Sequence, residues 1–211
     1  ADMPSIIYHG TSSNFRDSLI SRIQLNQNHS PTDFGNGFYT TTIYEQSRDF
    51  AIKKSALRQN KYPECQPMIV ALHLDTNILT ACHGKIFNTP DRQWKEFIFN
   101  NRLGRNFIIS SLHNLDISFD YVFGAVADSD IVQMCRMTRN HKLSPDDFIN
   151  QIQALHNGDA DQLSFHSPSA LASIIVNDFP LTSTVAPATS FASIFVLPNL
   201  FAFSSSSPSS T

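Results

Sequence analysis

The sequence predicts an α+β fold with a largely antiparallel sheet. Strand-like and helix-like patterns both occur along the chain, but they do not follow one another in strict strand–helix–strand order. The chain of 211 residues is long enough for one domain with a single buried core. Its composition, 41% hydrophobic and 16% charged, is ordinary for a globular protein. We therefore expect one α+β domain in which antiparallel strands pack against helices.

The strand predictions rest on short apolar runs that are bounded by turn-forming residues. They cover residues 5–8, 37–41, 67–74, 120–127 and 162–166. The clearest is 67–74, in which a proline precedes the run M-I-V-A-L-H-L. The strand at 37–41 begins at the second of two glycines, and the strand at 5–8 runs directly into a histidine and a glycine.

The helix predictions rest on helical spacing and on capping residues. Spacing predicts helices over 44–58 and 92–101, the second ending near Gly104. Ser144 followed by Pro145 and two acids predicts a helix start, with Gly158 as its stop. Ser167 followed by Pro168 predicts a last helix, running through Ile174 and Ile175.

The domain boundary is predicted at Asp178, the last charged residue of the chain. Residues 1–178 form the predicted functional domain. Residues 179–211 contain no Asp, Glu, Lys or Arg and end in a serine-rich run, which predicts a disordered or loosely packed tail. The apolar stretch 185–203 approaches the length of a membrane span, but Pro187 and Pro198 interrupt it, so no membrane anchor is predicted.

Charge and cysteine content narrow the function classes. A net charge of −3 gives no basic footprint of a dedicated nucleic-acid binder. The basic segment 45–61 has two interpretations, a solvated helix face or an electrostatic guide for an anionic ligand such as a dinucleotide or nucleic acid. Three widely spaced cysteines without a C-x-x-C pair predict neither disulfides nor zinc. With no signal peptide evident, we expect a cytoplasmic protein, and secretion as an effector stays open.

The acidic residues are strongly biased toward aspartate. The chain has three glutamates, Glu45, Glu64 and Glu96, and none beyond position 96. Any mechanism that needs a catalytic glutamate in the second half of the chain is therefore excluded.

Three segments contain residues suited to ligand binding or catalysis. The first, Y-H-G-T at 8–11, places a histidine at a strand end before a glycine, which lets backbone groups approach a ligand closely. The second, D-F-G-N-G-F-Y-T-T at 33–41, has two glycines beside aromatic residues that alternate in face, so that Tyr39 can offer a stacking surface. The third, D-Q-L-S-F-H at 161–166, is a strand with Gln162 and Ser164 on its polar face.

Together these segments resemble the motifs of the ADP-ribosyltransferase superfamily, in its histidine–tyrosine–glutamate branch, the diphtheria-toxin-like and poly-ADP-ribose-polymerase-like branch. They are most similar to a bacterial domain-of-unknown-function family within it. The residues that carry the resemblance are Y-H-G-T at 8–11, D-F-G-N-G-F-Y-T-T at 33–41 with E-Q-S at 45–47, W-K-E-F at 94–97, G-A-V-A-D at 124–128 and Q-L-S-F-H-S at 162–167. The resemblance spans residues 6–175 and leaves the tail uncovered.

The resemblance implies an ADP-ribosyltransferase-like fold, in which two small antiparallel sheets form a cleft for NAD⁺ as co-substrate, with no metal. It implies that His9 binds the adenosine ribose, that the Gly10 backbone holds the nicotinamide amide, and that Tyr39 stacks on the nicotinamide ring. The implied catalytic residues are Gln162, His9 and Tyr39, and the implied binding residues are His9, Gly10, Thr11, Gly37, Phe38 and Tyr39.

Gln162 stands where this branch usually has its catalytic glutamate. A neutral amide can hold a ribose hydroxyl, but it supplies no negative charge and accepts no proton. Losing such a contribution commonly costs ~10²–10⁴ in rate. Three outcomes stay open: a mono-ADP-ribosyltransferase, a slow NAD⁺ glycohydrolase, or a non-catalytic NAD⁺-binding module.

The implied partners are a protein or nucleic-acid acceptor and, from the family's bacterial distribution, an antitoxin or neighbour-encoded protein. Asp161, Asp128 and Asp130 are weaker candidates for a substitute charge, and His166 is expected to pack or to cap a helix. A hydrolase built on Cys82, His83 and His73 is a third class of function, which we rank last because adjacent residues on a strand point apart.

Overall fold

The computed structural model describes residues 3–21, 23, 25, 31–175 and 192–196, and it is an α+β structure, as the sequence predicts. The strands of this described part are β1 Ile6–Ser12, β2 Phe38–Thr40, β3 Pro67–Leu74, β4 Gly84–Ile86, β5 Tyr121–Ala125, β6 Asp161–Phe165, β7 Ile174–Ile175 and β8 Ala192–Val196. Its α-helices are α1 Arg16–Ser21, α2 Tyr44–Arg58, α3 Thr76–Thr80, α4 Arg92–Leu103, α5 Ile131–Arg139, α6 Pro145–Gln151 and α7 Pro168–Leu171.

The strands form two four-stranded sheets. In the first, β3 lies at the centre, β1 pairs along one edge, and β7 and β8 share the other edge, all antiparallel. The second has the order β2-β6-β5-β4, antiparallel except for the parallel pair of β4 and β5. The prediction of mostly antiparallel sheets is therefore confirmed.

Within the described residues, the backbones of the two sheets are hydrogen-bonded to each other at one residue pair. Tyr8 of β1 donates its N–H to the carbonyl oxygen of Thr41 at 2.8 Å, and Thr41 donates back to Tyr8 at 2.9 Å. Tyr8 lies in β1, which belongs to the first sheet, and Thr41 directly follows β2, which belongs to the second. The junction is what places the chemistry-bearing segments side by side.

The core has two parts. One lies between the sheets, where Ile7 and Met68 of the first sheet meet Phe38 and Phe165 of the second. The other lies between the second sheet and the helices that cover it, and is built mainly from buried rings, Trp94, Phe97, Phe99 and Phe148 among them. Trp94 also donates its indole N–H to the carbonyl of Ala125 at 3.0 Å, which ties α4 to β5.

Helix α2 packs closely across β1, and Gly10 is the reason that it can. A Cβ built on Gly10 would lie 2.1 Å from the carbonyl oxygen of Ser47, far inside van der Waals contact. Ser47, Ala51 and Ser55, the buried residues of α2, are small, as such close packing requires.

Two predicted helices are shorter than the sequence indicated. The helix that begins at Pro145 ends at Gln151, not at Gly158, because Ile152 is extended and His156 and Asn157 adopt left-handed backbone conformations that no α-helix contains. The helix that begins at Pro168 ends at Leu171, because Ile174–Ile175 pairs with the end of β3 as a strand.

One strand falls in the segment predicted as a tail. Ala192–Val196 pairs with residues 68–72 of β3, a position that the sequence did not predict. The remainder of 179–211 lies outside the described residues. Among the described residues, no helix is both long enough and apolar enough to cross a membrane.

Candidate functional site

The site is centred on the point where β1 and β2 separate. If the antiparallel pairing of Tyr8 with Thr41 continued by two residues, Gly10 would pair with Tyr39. It does not continue. Instead, Nδ1 of the His9 ring lies 2.7 Å from the carbonyl oxygen of Tyr39, in place of a backbone N–H. The His9 side chain thus acts as a wedge that satisfies Tyr39 and holds the two strands apart.

The wedge leaves the backbone N–H and C=O of Gly10, a buried residue, without a strand partner on the side of β2. In an antiparallel ladder, successive residues direct their N–H and C=O groups to opposite sides. Tyr8 directs both groups to Thr41, so Gly10, two residues on, directs both toward the split. Among the described residues no strand continues the ladder there. The split therefore offers one donor and one acceptor on the same residue.

The His9 ring is neutral, and its Nε2 atom can accept a hydrogen bond. Because the Tyr39 carbonyl can only accept, Nδ1 carries the proton of the neutral ring. Burial lowers the pKa of His9, and the nearby charge of Lys54 adds to this effect. The ring packs against Phe38 with centroids 4.5 Å apart. Nε2 is left as a fixed acceptor.

Tyr39 is hydrogen-bonded both at its backbone carbonyl, to His9, and at its side-chain hydroxyl. Its hydroxyl donates to the carbonyl of Gly35 at 2.6 Å and accepts from the N–H of Phe34 at 3.1 Å. Gly35 has a φ of +93°, a left-handed conformation that glycine adopts without strain, and this conformation brings its carbonyl to the tyrosine. Burial raises the pKa of Tyr39, so the hydroxyl stays protonated. The ring is half-buried at the edge of the helical core.

Gln162 lies on β6, the next strand, two residues from the partner of Tyr39. Its side chain is 8% exposed, and its amide nitrogen donates to Oδ2 of Asp33 at 2.8 Å and to the carbonyl of Ala125 at 3.1 Å. Both partners can only accept, so the orientation of the amide is determined. The amide oxygen of Gln162 has no hydrogen-bond partner among the described residues.

Asp33 is the functional candidate that sequence reasoning did not identify. Asp33 is 3% exposed. Its Oδ1 accepts a hydrogen bond from Nε of Arg102 at 2.7 Å. Its Oδ2 accepts hydrogen bonds from the N–H of Ala127 at 3.1 Å and from the side-chain amide of Gln162. A carboxylate therefore lies one hydrogen bond behind Gln162, paired with a guanidinium. Its place at the head of the D-F-G-N-G segment was a signal, but the sequence analysis drew from that segment the glycines and the Tyr39 ring, and no role for Asp33.

His166 is a packed residue, as expected. It is 1% exposed, with Nδ1 2.7 Å from the carbonyl oxygen of Asn36 and Nε2 2.8 Å from Oγ of Ser164. Burial lowers the pKa of His166 to about 4. The neutral ring joins the segment 33–37 before β2, which contains Gly35 and Gly37 and is called the glycine loop below, to the end of β6.

The remaining predicted binding residues surround the split and, like Gly10 itself, are buried. Phe38 and Thr11 are 6% and 9% exposed. A Cβ on Gly37 would lie 2.5 Å from the carbonyl oxygen of Phe165, so the close approach at this glycine, as at Gly10, is made by the protein's own backbone. The structure thus places His9, Gly10 and Tyr39 directly at the split.

A neighbouring cavity of about 330 Å³ opens beside the glycine loop. Gly35 and Asn36 line it together with Arg102 and Arg139, whereas His9, Tyr39 and Gln162 do not. The cavity therefore adjoins the loop that holds Tyr39 and is distinct from the strand split.

The alternative chemistries find no support in the geometry. The Asp161 carboxylate accepts hydrogen bonds from Oγ1 of Thr41 at 2.7 Å and from the N–H of Thr42 at 2.9 Å, which is a structural role.

Burial raises the pKa of Cys82, so its thiolate is disfavoured, and His83 contacts the carbonyl of Ser118. In the described part of the chain, no group of three or more His, Cys, Asp or Glu residues could hold a metal ion.

These features define a class: an α+β protein of two small sheets joined at one residue pair and held apart beside it by a histidine. The chain belongs to the family described as "Protein of unknown function (DUF3990)", whose model matches residues 5–175. That match covers the motifs at 8–11, 33–41 and 162–167 and seven of the eight strands of the described part. No curated protein and no solved structure matches the chain.

Proposed function

We propose that the protein is an NAD⁺-dependent mono-ADP-ribosyltransferase, which transfers ADP-ribose to a protein or nucleic-acid acceptor and releases nicotinamide. The observation that carries the proposal is the split between β1 and β2, where a neutral His9, the free backbone edge of Gly10 and the anchored ring of Tyr39 adjoin one another. The resemblance in motifs supports the same function independently.

The three groups at the split match three parts of NAD⁺. A primary carboxamide has one acceptor and one donor, which fit the N–H and C=O of Gly10. The Tyr39 ring is a stacking surface for the flat nicotinamide. The Nε2 lone pair of His9 can accept a hydrogen bond from a ribose hydroxyl, since the pKa of His9 is lowered by burial and the ring is neutral.

The reaction breaks the bond between the nicotinamide nitrogen and the ribose C1 carbon, and the electron pair leaves with nicotinamide. The acceptor's nucleophile forms the new bond to C1 and loses its proton to water or to a base of its own. Gln162 directs a neutral oxygen at the ribose, which orients a hydroxyl but stabilises positive charge less than a carboxylate does. We therefore propose single transfer to a ready nucleophile, not chain elongation.

A second candidate is a protein that binds NAD⁺ without transferring ADP-ribose, either a non-catalytic module that binds NAD⁺ or ADP-ribose or a slow NAD⁺ glycohydrolase. It is favoured by one observation: the amide nitrogen of Gln162 is committed to Asp33 and Ala125, so the side chain cannot swing to serve as a donor elsewhere. Both candidates require NAD⁺ binding at the split.

The test is incubation of the protein with NAD⁺ labelled in its adenylate part and a cell lysate, followed by protease or nuclease digestion. We expect label on a macromolecule, nicotinamide in solution, and loss of both in His9→Ala and Tyr39→Ala. Intact NAD⁺ binding without release or labelling selects the binding module. Absence of NAD⁺ binding by calorimetry would refute both candidates.

The same assay addresses the partners. Digestion identifies the acceptor class, protein or nucleic acid. An antitoxin or neighbour-encoded protein, acting on a cytoplasmic enzyme, would bind the purified protein and reduce nicotinamide release.

A further inference from the structure

Helix α2 extends from the split along β1 and brings its basic residues to the same edge. The ring of Tyr44, at the start of α2, meets Tyr8 with centroids 5.5 Å apart, and Ser47 packs on Gly10. Four turns along, the guanidinium of Arg58 lies over the ring of Phe15, 4.2 Å from its centroid. Lys54 and Arg58 therefore lie beyond Gly10 in the direction of β1, roughly 10 and 16 Å farther along the helix axis than Ser47.

These cations have no counter-charge in the described part of the chain. Lys54, Arg58 and Arg16, the residue after Phe15, form no ion pair with any described residue, whereas Arg48 on the same helix pairs with Asp49 at 3.1 Å. Nε of Arg16 is buried and has no hydrogen-bond partner there. Buried donors are almost always satisfied, so this nitrogen indicates a missing acceptor.

The cluster is also close enough to the split to affect it. Lys54 is half-buried, and burial together with the charge of Arg58 lowers its pKa. Burial is the largest cause of the lowered pKa of His9, and the charge of Lys54 contributes less. The geometric link between the two residues is α2, which packs on β1 at Gly10. Half-buried cations that repel one another are unfavourable until an anion joins them.

We propose that Lys54, Arg58 and Arg16 form a site for the diphosphate of a dinucleotide whose ribose and nicotinamide occupy the strand split. This inference rests on the proposed function for the identity of the dinucleotide. Two linked phosphates supply two negative charges and several acceptor oxygens, which match clustered cations with unused donors. A nucleic-acid strand fits less well, because it needs an extended basic surface and the chain has a net charge of −3.

The test is calorimetric titration of inorganic pyrophosphate, ADP-ribose and adenosine into the full chain. We expect Lys54→Gln to weaken pyrophosphate and ADP-ribose about fivefold to tenfold and to leave adenosine unchanged. Lys54→Arg should restore most of the affinity. The matched control is Lys53→Gln, which removes the same charge from an exposed position of the same helix and should change none of the three.

The outcomes separate this site from the proposed function. Pyrophosphate binding that falls in Lys54→Gln supports the site even if the protein never consumes NAD⁺. If Lys54→Gln and Lys53→Gln release nicotinamide at the same rate, the diphosphate site is overturned, and the transferase proposal is unaffected. Equal losses in both variants, or stronger Lys54-dependent binding of a single-stranded oligonucleotide than of ADP-ribose, would also overturn it.

Discussion

His9 occupies the hydrogen-bonding position that the Gly10 N–H would take in an unbroken ladder between β1 and β2. This single exchange of a ring nitrogen for a backbone nitrogen opens the edge on which the proposed function depends. The sequence predicted a strand at 5–8 that ends before His9, but β1 runs from Ile6 to Ser12, so His9 lies within the strand. Its role follows from the pairing of β1 with β2, which the local sequence does not show.

We expect His9→Ala to lower NAD⁺ affinity at least about tenfold while costing only about 1 kcal/mol of stability. The stability cost is small because the Gly10 N–H can then reach the Tyr39 carbonyl and close the split. Calorimetry and urea unfolding measure the two quantities. His83→Ala is the control for loss of a ring hydrogen bond away from the split, and equal NAD⁺ affinity in the two variants would contradict the assignment.

Gln162 is a donor to a buried carboxylate, so a glutamate at this position should not restore a stronger catalyst. In Gln162→Glu the introduced carboxylate faces Asp33 across a hydrogen-bond distance of 2.8 Å. We expect a loss of about 2–4 kcal/mol at pH 7 and no gain in nicotinamide release.

The loss should shrink as the pH falls, because the introduced carboxyl has a raised pKa and can donate to Asp33 once protonated. The control is Gln153→Glu, which adds the same charge at an exposed position. Faster nicotinamide release in Gln162→Glu than in the natural protein would show that Asp33 does not dictate the choice of glutamine.

His166 should make the fold sensitive to mild acid. Its pKa is about 4 in the folded protein and 6.5 in an unfolded chain, so its contribution is complete above pH 6.5 and is lost as the pH falls from 6.5 to 4. The loss amounts to about 3 kcal/mol. Urea unfolding between pH 4 and 7.5 should show a shallower dependence in His166→Asn, and parallel curves would contradict the account.

At the scale of elements, the contact between α2 and β1 depends on the absence of a side chain at Gly10. Gly10→Ala would press a methyl group into the Ser47 carbonyl at 2.1 Å. We expect a loss of about 3 kcal/mol or more, because helix backbone cannot yield as a flexible side chain can.

A comparison variant separates steric clash from backbone strain. Gly158 has a φ of +98° and open space, with Pro90 3.9 Å from an added Cβ. Gly158→Ala should cost only about 1 kcal/mol from its conformation. A smaller loss for Gly10→Ala than for Gly158→Ala in thermal or urea unfolding would contradict the described packing.

The elements that the sequence predicted best are those with a long, single pattern. Helix α2 and strand β3 have the bounds expected. Strand β3 is one continuous apolar run. Helix α2 is a run of 15 residues without glycine or proline, although it buries the small residues Ser47, Ala51 and Ser55 and leaves larger apolar residues exposed. The end of α6 was wrong because left-handed conformations at His156 and Asn157 follow from local packing, not from residue type. Ile174–Ile175 could not be assigned from two apolar residues, since both helix and strand bury them.

At the scale of the whole molecule, the sequence identified the parts of the candidate site but not how they connect. His9, Gly10 and Tyr39 were found in motifs, and the structure joins them at the Tyr8–Thr41 bridge. The pairing of Asp33 with Gln162 spans 129 positions, and no local pattern contains such information. The two sheets and their junction are therefore the feature that turns separate motifs into one site.

The most direct test of this account is amide hydrogen exchange at Gly10, followed by nuclear magnetic resonance with and without NAD⁺. Without ligand, the Gly10 amide should exchange faster than that of Tyr8, which is bonded to Thr41 at 2.8 Å. Saturating NAD⁺ should slow Gly10 at least about tenfold and leave Tyr8 nearly unchanged. Exchange at Gly10 that is already as slow as at Tyr8, or that does not respond to NAD⁺, would contradict the claim that this strand split is the binding site.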